Sequence, residues 1–93
     1  MALFDGKIAL VTGGGSGIGQ AACHLYAREG ARVVVSDIDE KRGNETVKAI
    51  QEMNGDAMFV RADVSNPDDC QAMVDAALKK YGRLDIAFNN AGI

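Results

Sequence analysis

Residues 11–19, VTGGGSGIG, concentrate five glycines between Gly13 and Gly19. Glycine loses more conformational freedom on folding than any other residue, so the run carries a cost that something must offset. It follows directly on the apolar stretch KIALV. Where a strand turns into a helix, free backbone N–H groups and the positive end of the helix dipole attract an anion. Side chains would hold a phosphate away from that backbone, and glycine removes the obstacle. The chemistry open to this stretch is phosphate binding by main-chain amides.

Spacing separates the kinds of phosphate loop. A nucleoside-triphosphatase loop requires G-x-x-x-x-G-K-[ST]. Counted from Gly14, the chain reads Gly19, Gln20 and Ala21, so the lysine and the Mg²⁺-binding hydroxyl are both missing. Strict G-x-G-x-x-G also fails, because it ends on Ile18 from Gly13 and on Gln20 from Gly15. The pattern that fits is T-G-x-x-x-G-x-G, with Thr12, Gly13, Gly17 and Gly19. Ser16 and Ile18 lie inside this loop and join the glycines as candidate cofactor contacts.

Asp37 closes a second apolar run, RVVVSD, eighteen residues after Gly19. A carboxylate there can accept hydrogen bonds from adenosine ribose hydroxyls. It would also repel a 2′-phosphate: at ~5 Å and an effective dielectric of ~20, each unit-charge pair costs about 3 kcal/mol before salt screening. The expected cofactor is therefore NAD, in preference to NADP. Arg42 is the opposing signal, since an arginine beside this turn can meet a phosphate. A solvated helix face is the reading adopted for it.

These residues need elements to position them. Residues 7–11 (KIALV), 32–37 (RVVVSD), 57–61 (AMFVR) and 84–89 (LDIAFN) read as strands. Continuous apolar strands suit a parallel sheet covered on both faces. Between them, residues 17–29 read as a helix stopped by Gly30. Residues 40–53 follow the N-cap Asp39, end before Gly55, and turn Val47, Ile50 and Met53 inward. In the third helix Cys70, Met73, Val74, Ala77, Leu78 and Tyr81 form one apolar stripe. Ser65 and Asp68 have capping-box spacing. Asp68 and Asp69 in the first turn, with Lys79 and Lys80 in the last, complement the helix dipole before Gly82 stops it. The order β-α-β-α-β-α-β with right-handed crossovers predicts a doubly wound α/β sheet of strand order 3-2-1-4.

Composition narrows the partners. An apolar content of 47% with 25% charged residues is that of a soluble globular protein, and 93 residues predict one domain or part of one. The net charge of −3 offers no basic field to nucleic acid or an anionic membrane. No apolar run reaches the length of a membrane span, and MALFDGK lacks the regions of a secretory signal. Cys23 and Cys70 form no short-spaced metal pair. They are expected as reduced thiols on opposite faces of the sheet, in a cytoplasmic protein with no metal site. His24 is expected on a helix surface, and Asp85 to be structural rather than cofactor-binding.

Four motifs, in this order, resemble the standard subgroup of the short-chain dehydrogenase/reductase family. They are TGGGSGIG at residues 12–19, Asp37 after the second strand, Asp63-Val64 after the third, and NNAG at residues 89–92. The extended subgroup's G-x-x-G-x-x-G fails at Ser16 and Gln20. The resemblance implies a Rossmann-type fold, with residues 1–93 as the N-terminal part of one dinucleotide-binding domain. It implies that Asp63 hydrogen-bonds the adenine amino group and that the Val64 backbone meets the ring. It implies that Asn90, Ala91 and Gly92 line the cofactor beside the first strand. Turn formation is the alternative for Asp63 and for Asn89-Asn90.

The resemblance also implies hydride transfer between nicotinamide and a small alcohol or carbonyl substrate, in a full-length parent that forms homo-oligomers. The family's proton relay, a Tyr-x-x-x-Lys pair with a serine and another asparagine, lies beyond NNAG. Here Tyr26 is followed four residues later by Gly30, and Tyr81 by Asp85. These residues are expected to carry the cofactor half and, alone, to turn over no substrate. Two other readings stay open: a non-catalytic dinucleotide-binding or regulatory module, and a truncated product without independent function.

Overall fold

The computed structural model describes residues 2–90. Seven elements alternate: β1 (Ile8–Thr12), α1 (Gly17–Arg28), β2 (Arg32–Asp37), α2 (Glu40–Glu52), β3 (Ala57–Arg61), α3 (Pro67–Tyr81) and β4 (Ile86–Asn89). All strand pairs are parallel, in the order β3-β2-β1-β4. This is the predicted doubly wound arrangement. The chain steps outward from β1 to β2 to β3, then crosses back to place β4 on the other side of β1. The switch sits at the carboxyl end of β1, where Thr12 pairs with Ser36 on one flank and Asn89 on the other.

The two faces of the sheet explain the run of three valines. Successive strand residues point to opposite faces. Val33 and Val35 pack with Val11 against Cys23 of α1 and Val47 and Ile50 of α2. Val34 faces the other way, with Ile8, Leu10 and Met73 and Ala77 of α3. Cys23 and Cys70 therefore belong to opposite faces, and both are free thiols. Burial pushes the Cys23 thiol up to about 12, so it stays protonated and inert at neutral pH.

Several local expectations are corrected. β4 begins at Ile86 rather than residue 84. The segment before it is taken up by Asp85, whose carboxylate accepts the Ile8 N–H at 2.9 Å and pairs with Arg83 at 2.8 Å. Asp85 is thus a strand-entry clamp. Asn66, not Ser65, caps α3: its side chain accepts from the Asp68 N–H, and Pro67 takes the first helical position, where its missing N–H costs nothing. The Ser65 hydroxyl instead donates to Asp63. α2 does end before Gly55, and the turn after it is made by Asn54 at a left-handed φ of 66°.

Met53 and Leu78 are not core residues. They are 40% and 45% exposed. Met53 is the C-cap of α2, where the chain already turns away from the sheet. Leu78 sits about 100° round the helix from buried Ala77, outside the narrow stripe that α3 presents. Ile50→Ala should therefore cost ~2–5 kcal/mol in urea unfolding, because Ile50 is wholly buried. Leu78→Ala should stay within ~0.5 kcal/mol of the unsubstituted chain.

Candidate functional site

The glycine loop joins β1 to α1 at the switch. Gly13 and Gly17 adopt positive φ of 65° and 58°, which other residues rarely hold. Gly19 is needed for a different reason. A Cβ there would strike the Gly13 carbonyl, so the first turn of α1 rests directly on the start of the loop. Ser16, Gly17 and Ile18 are exposed at the rim, while Gly19 is buried beneath them.

The three helix N-termini differ. Asp39 caps α2, which has Glu40 in its first turn. Asn66 caps α3, which has Asp68 and Asp69. Ser16 precedes α1 in an extended conformation, yet its side chain makes no cap bond, and the first turn of α1 holds no acid. The leading N–H groups of α1 thus keep their positive field for an external partner.

Beside this turn lies a depression of about 190 Å³ at the carboxyl ends of β1, β2 and β3. It brings together Gly13, Asp37, Asp63 and Val64, all singled out by sequence, with Ile38 at its edge. Ile38 escaped the sequence reading. Its signal was an apolar residue straight after a strand-end carboxylate, and it is 56% exposed. Asp37 accepts the Gly15 N–H through Oδ2 and the Asp39 N–H through Oδ1, both at 2.9 Å. Arg42 pairs with Asp39 at 3.5 Å on an exposed helix face, in keeping with the solvated reading.

Asp63 forms a tight turn as well as a wall of the depression. Its Oδ1 accepts from the Ser65 hydroxyl at 2.6 Å and from the Ser65 N–H at 2.9 Å. These bonds, the hydroxyl first, hold its carboxyl below the usual carboxylate range. Asn90 reaches the site from β4. Its N–H donates to Thr12 Oγ1 at 2.9 Å, and its Nδ2 lies 3.0 Å from the point a Gly19 Cβ would occupy. Ala91 and Gly92 lie outside the described residues.

A larger groove, about 480 Å³, runs between α3 and β4. Leu10, Met73, Val74, Ala87 and Phe88 line it, and no lining residue is charged at neutral pH. Its lining is mostly apolar, with Thr12, Ser65 and Asn89 as its polar residues. The two tyrosines stand apart from both cavities. Tyr26 packs edge-on to Phe4, with ring centroids 5.2 Å apart. Tyr81 donates to Asp56 at 3.0 Å near the opposite end of the strands, and burial, then that bond, raises its pKa.

The sequence model of the short chain dehydrogenase family matches residues 7–93. The chain belongs to the short chain dehydrogenase family. An uncharacterized oxidoreductase of Thermotoga maritima is 47% identical over 90 residues, covering 97% of this chain and 35% of that protein. A 3beta-hydroxysteroid dehydrogenase of Mediterraneibacter gnavus is 48% identical over 93 residues, covering 100% of this chain and 34% of the relative. The chain thus spans about a third of the length of these family members. A short chain dehydrogenase/reductase from Burkholderia phymatum, solved in complex with NAD, superposes with a TM-score of 0.94 at 42% identity, covering 100% of this chain and 33% of that one.

The Asp63–Ser65 pair is testable. A carboxyl with a depressed folded pKa contributes stability that is complete above its unfolded pKa and lost as pH falls through the folded one. Ser65→Ala should raise the Asp63 pKa toward the ordinary value in a carbonyl-carbon NMR titration and shift the acid limb of unfolding to higher pH. An unmoved pKa would show that the Ser65 hydroxyl is not its main cause.

Proposed function

We propose that this chain is the dinucleotide-binding part of a nicotinamide-dependent oxidoreductase and that it takes NAD(H) in preference to NADP(H). One observation carries the reading: the uncapped N-terminus of α1 and the Asp37–Asp63 depression lie side by side at the switch of a parallel sheet. Open sheets of this kind bind ligands outside the carboxyl ends of their strands, where the strand order reverses.

The roles follow from position. The backbone at Gly13, Ser16, Gly17, Ile18 and Gly19 receives the pyrophosphate, where α1 offers free N–H groups. Asp37, held by the Gly15 and Asp39 N–H groups, accepts from the adenosine ribose through its remaining lone pairs. Asp63 and Val64 face the adenine, and Ile38 covers its edge. Asn90 borders the path toward the nicotinamide, and the family's NNAG motif extends that role to Ala91 and Gly92. The nicotinamide, when bound, supplies hydride transfer to or from an alcohol or carbonyl carbon in the full-length parent. The parent is proposed to be a cytoplasmic homo-oligomer.

A second reading, a binding module without chemistry of its own, is favoured by the position of Tyr26 and Tyr81 away from the site. Both readings require the same cofactor site. Calorimetric titration of the chain should give a Kd for NADH at least tenfold (roughly 1.4 kcal/mol) below that for NADPH, since Asp37 opposes the 2′-phosphate. Asp37→Ala should weaken NADH and narrow the ratio. Tighter binding of NADPH would contradict the assignment.

A further inference from the structure

The peptide between Gly14 and Gly15 is held from both sides. Thr46, wholly buried on α2, donates its hydroxyl to the Gly14 carbonyl at 3.0 Å. The Arg42 carbonyl, one turn earlier on the same helix, lies 3.3 Å from that hydroxyl and is the longer of the two contacts. On the other side, the Gly15 N–H points at Asp37 Oδ2, 2.9 Å away. The preceding N–H, that of Gly14, donates to the Ser36 carbonyl at 2.9 Å. A carbonyl and the N–H that follows it belong to one planar trans unit and point in opposite directions. Fixing the Gly14 carbonyl on Thr46 therefore fixes the Gly15 N–H toward Asp37. The unit is also enclosed, since a Cβ on Gly15 would come within 2.8 Å of both Asp37 Oδ2 and Arg42 Cβ.

We propose that Thr46 is a positioning residue for the ribose end of the site: its hydroxyl orients the Gly14–Gly15 peptide and, through the Gly15 N–H, the carboxylate of Asp37. The orientation itself is a property of the free chain. Its use in gripping a ribose rests on the dinucleotide reading above. Thr46→Val keeps the shape of the side chain but removes the donor. The buried Gly14 carbonyl then lacks its partner, the peptide gains freedom to rotate, and Asp37 loses one of its two main-chain donors. A threonine that merely closed onto its own helix carbonyl would have none of these effects at Gly15.

Amide hydrogen exchange of the unliganded 93-residue chain tests the orientation, and NADH titration tests its use. The Gly15 amide should be protected in the unsubstituted chain and in Thr46→Ser, and should exchange about tenfold faster in Thr46→Val. The NADH Kd should rise about tenfold in Thr46→Val and stay within about twofold in Thr46→Ser. In an Asp37→Ala background the Thr46→Val effect on Kd should largely vanish, because both changes act on one contact. Gly15 exchange that ignores Thr46→Val, or an affinity loss undiminished in Asp37→Ala, overturns the proposal. Should Thr46→Val fail to fold, Thr46→Ala and the unsubstituted chain decide: an unprotected Gly15 amide in the latter, or equal protection in both, overturns it. Absence of NADH binding by the unsubstituted chain would overturn the dinucleotide reading, while the exchange data would still decide the orientation.

Discussion

The close seat of α1 on the end of β1 governs the rest of the molecule. It exists because Gly19 has no Cβ to meet the Gly13 carbonyl. The seat brings the leading amides of α1 to the point where the strand order reverses. It also leaves room for Asn90, whose side chain stands beside Gly19 and whose N–H is held by Thr12. β4 is therefore tied to the same corner by Thr12, and β2 is tied to it by the Ser36 carbonyl and the Asp37 carboxylate. Any side chain at position 19 would push these three strand ends apart from the helix that serves them.

Charge is distributed around that corner in a consistent way. Acidic residues occupy the first turns of α2 and α3, where each helix also has its own side-chain cap. At α1 the corresponding positions carry neither acid nor cap. A helix left electrostatically open, in a chain that closes its other two, is the feature on which the proposed anion site rests. The neighbouring carboxylates of Asp37 and Asp63 are held in place by main-chain and hydroxyl donors. Negative charge at Asp37 and Asp63 and positive field at the start of α1 give this corner a direction, the one the proposed dinucleotide would follow.

Much of this was legible in the sequence because it depends on local rules. The alternation of β-branched runs and helical stripes fixes the topology, and strict spacing of Thr12, Gly13, Gly17 and Gly19 identifies the kind of turn. Asp39 and Gly82 act as the helix signals predicted for them. The misses have physical causes. Ser65 and Asp68 have the spacing of a capping box, but Asn66 is nearer and Ser65 is engaged by Asp63. Leu78 and Met53 share the period of buried residues, yet period alone cannot tell the centre of a stripe from its edge. Thr46 gave no signal, because its partner Gly14 is thirty-two residues away and the contact exists only once α2 has docked. Ile38 was passed over because one exposed apolar residue is unremarkable until the depression beside it is seen.

The central claim is that main-chain amides at the start of α1 hold a dinucleotide pyrophosphate. A crystal structure of the chain grown with NADH tests it most directly. Pyrophosphate oxygens are expected within hydrogen-bonding distance of backbone N–H groups between Gly13 and Gly19, with the adenosine end in the Asp37–Asp63 depression. NADH lodged in the apolar groove beside α3, or anywhere else with that corner empty, would contradict it.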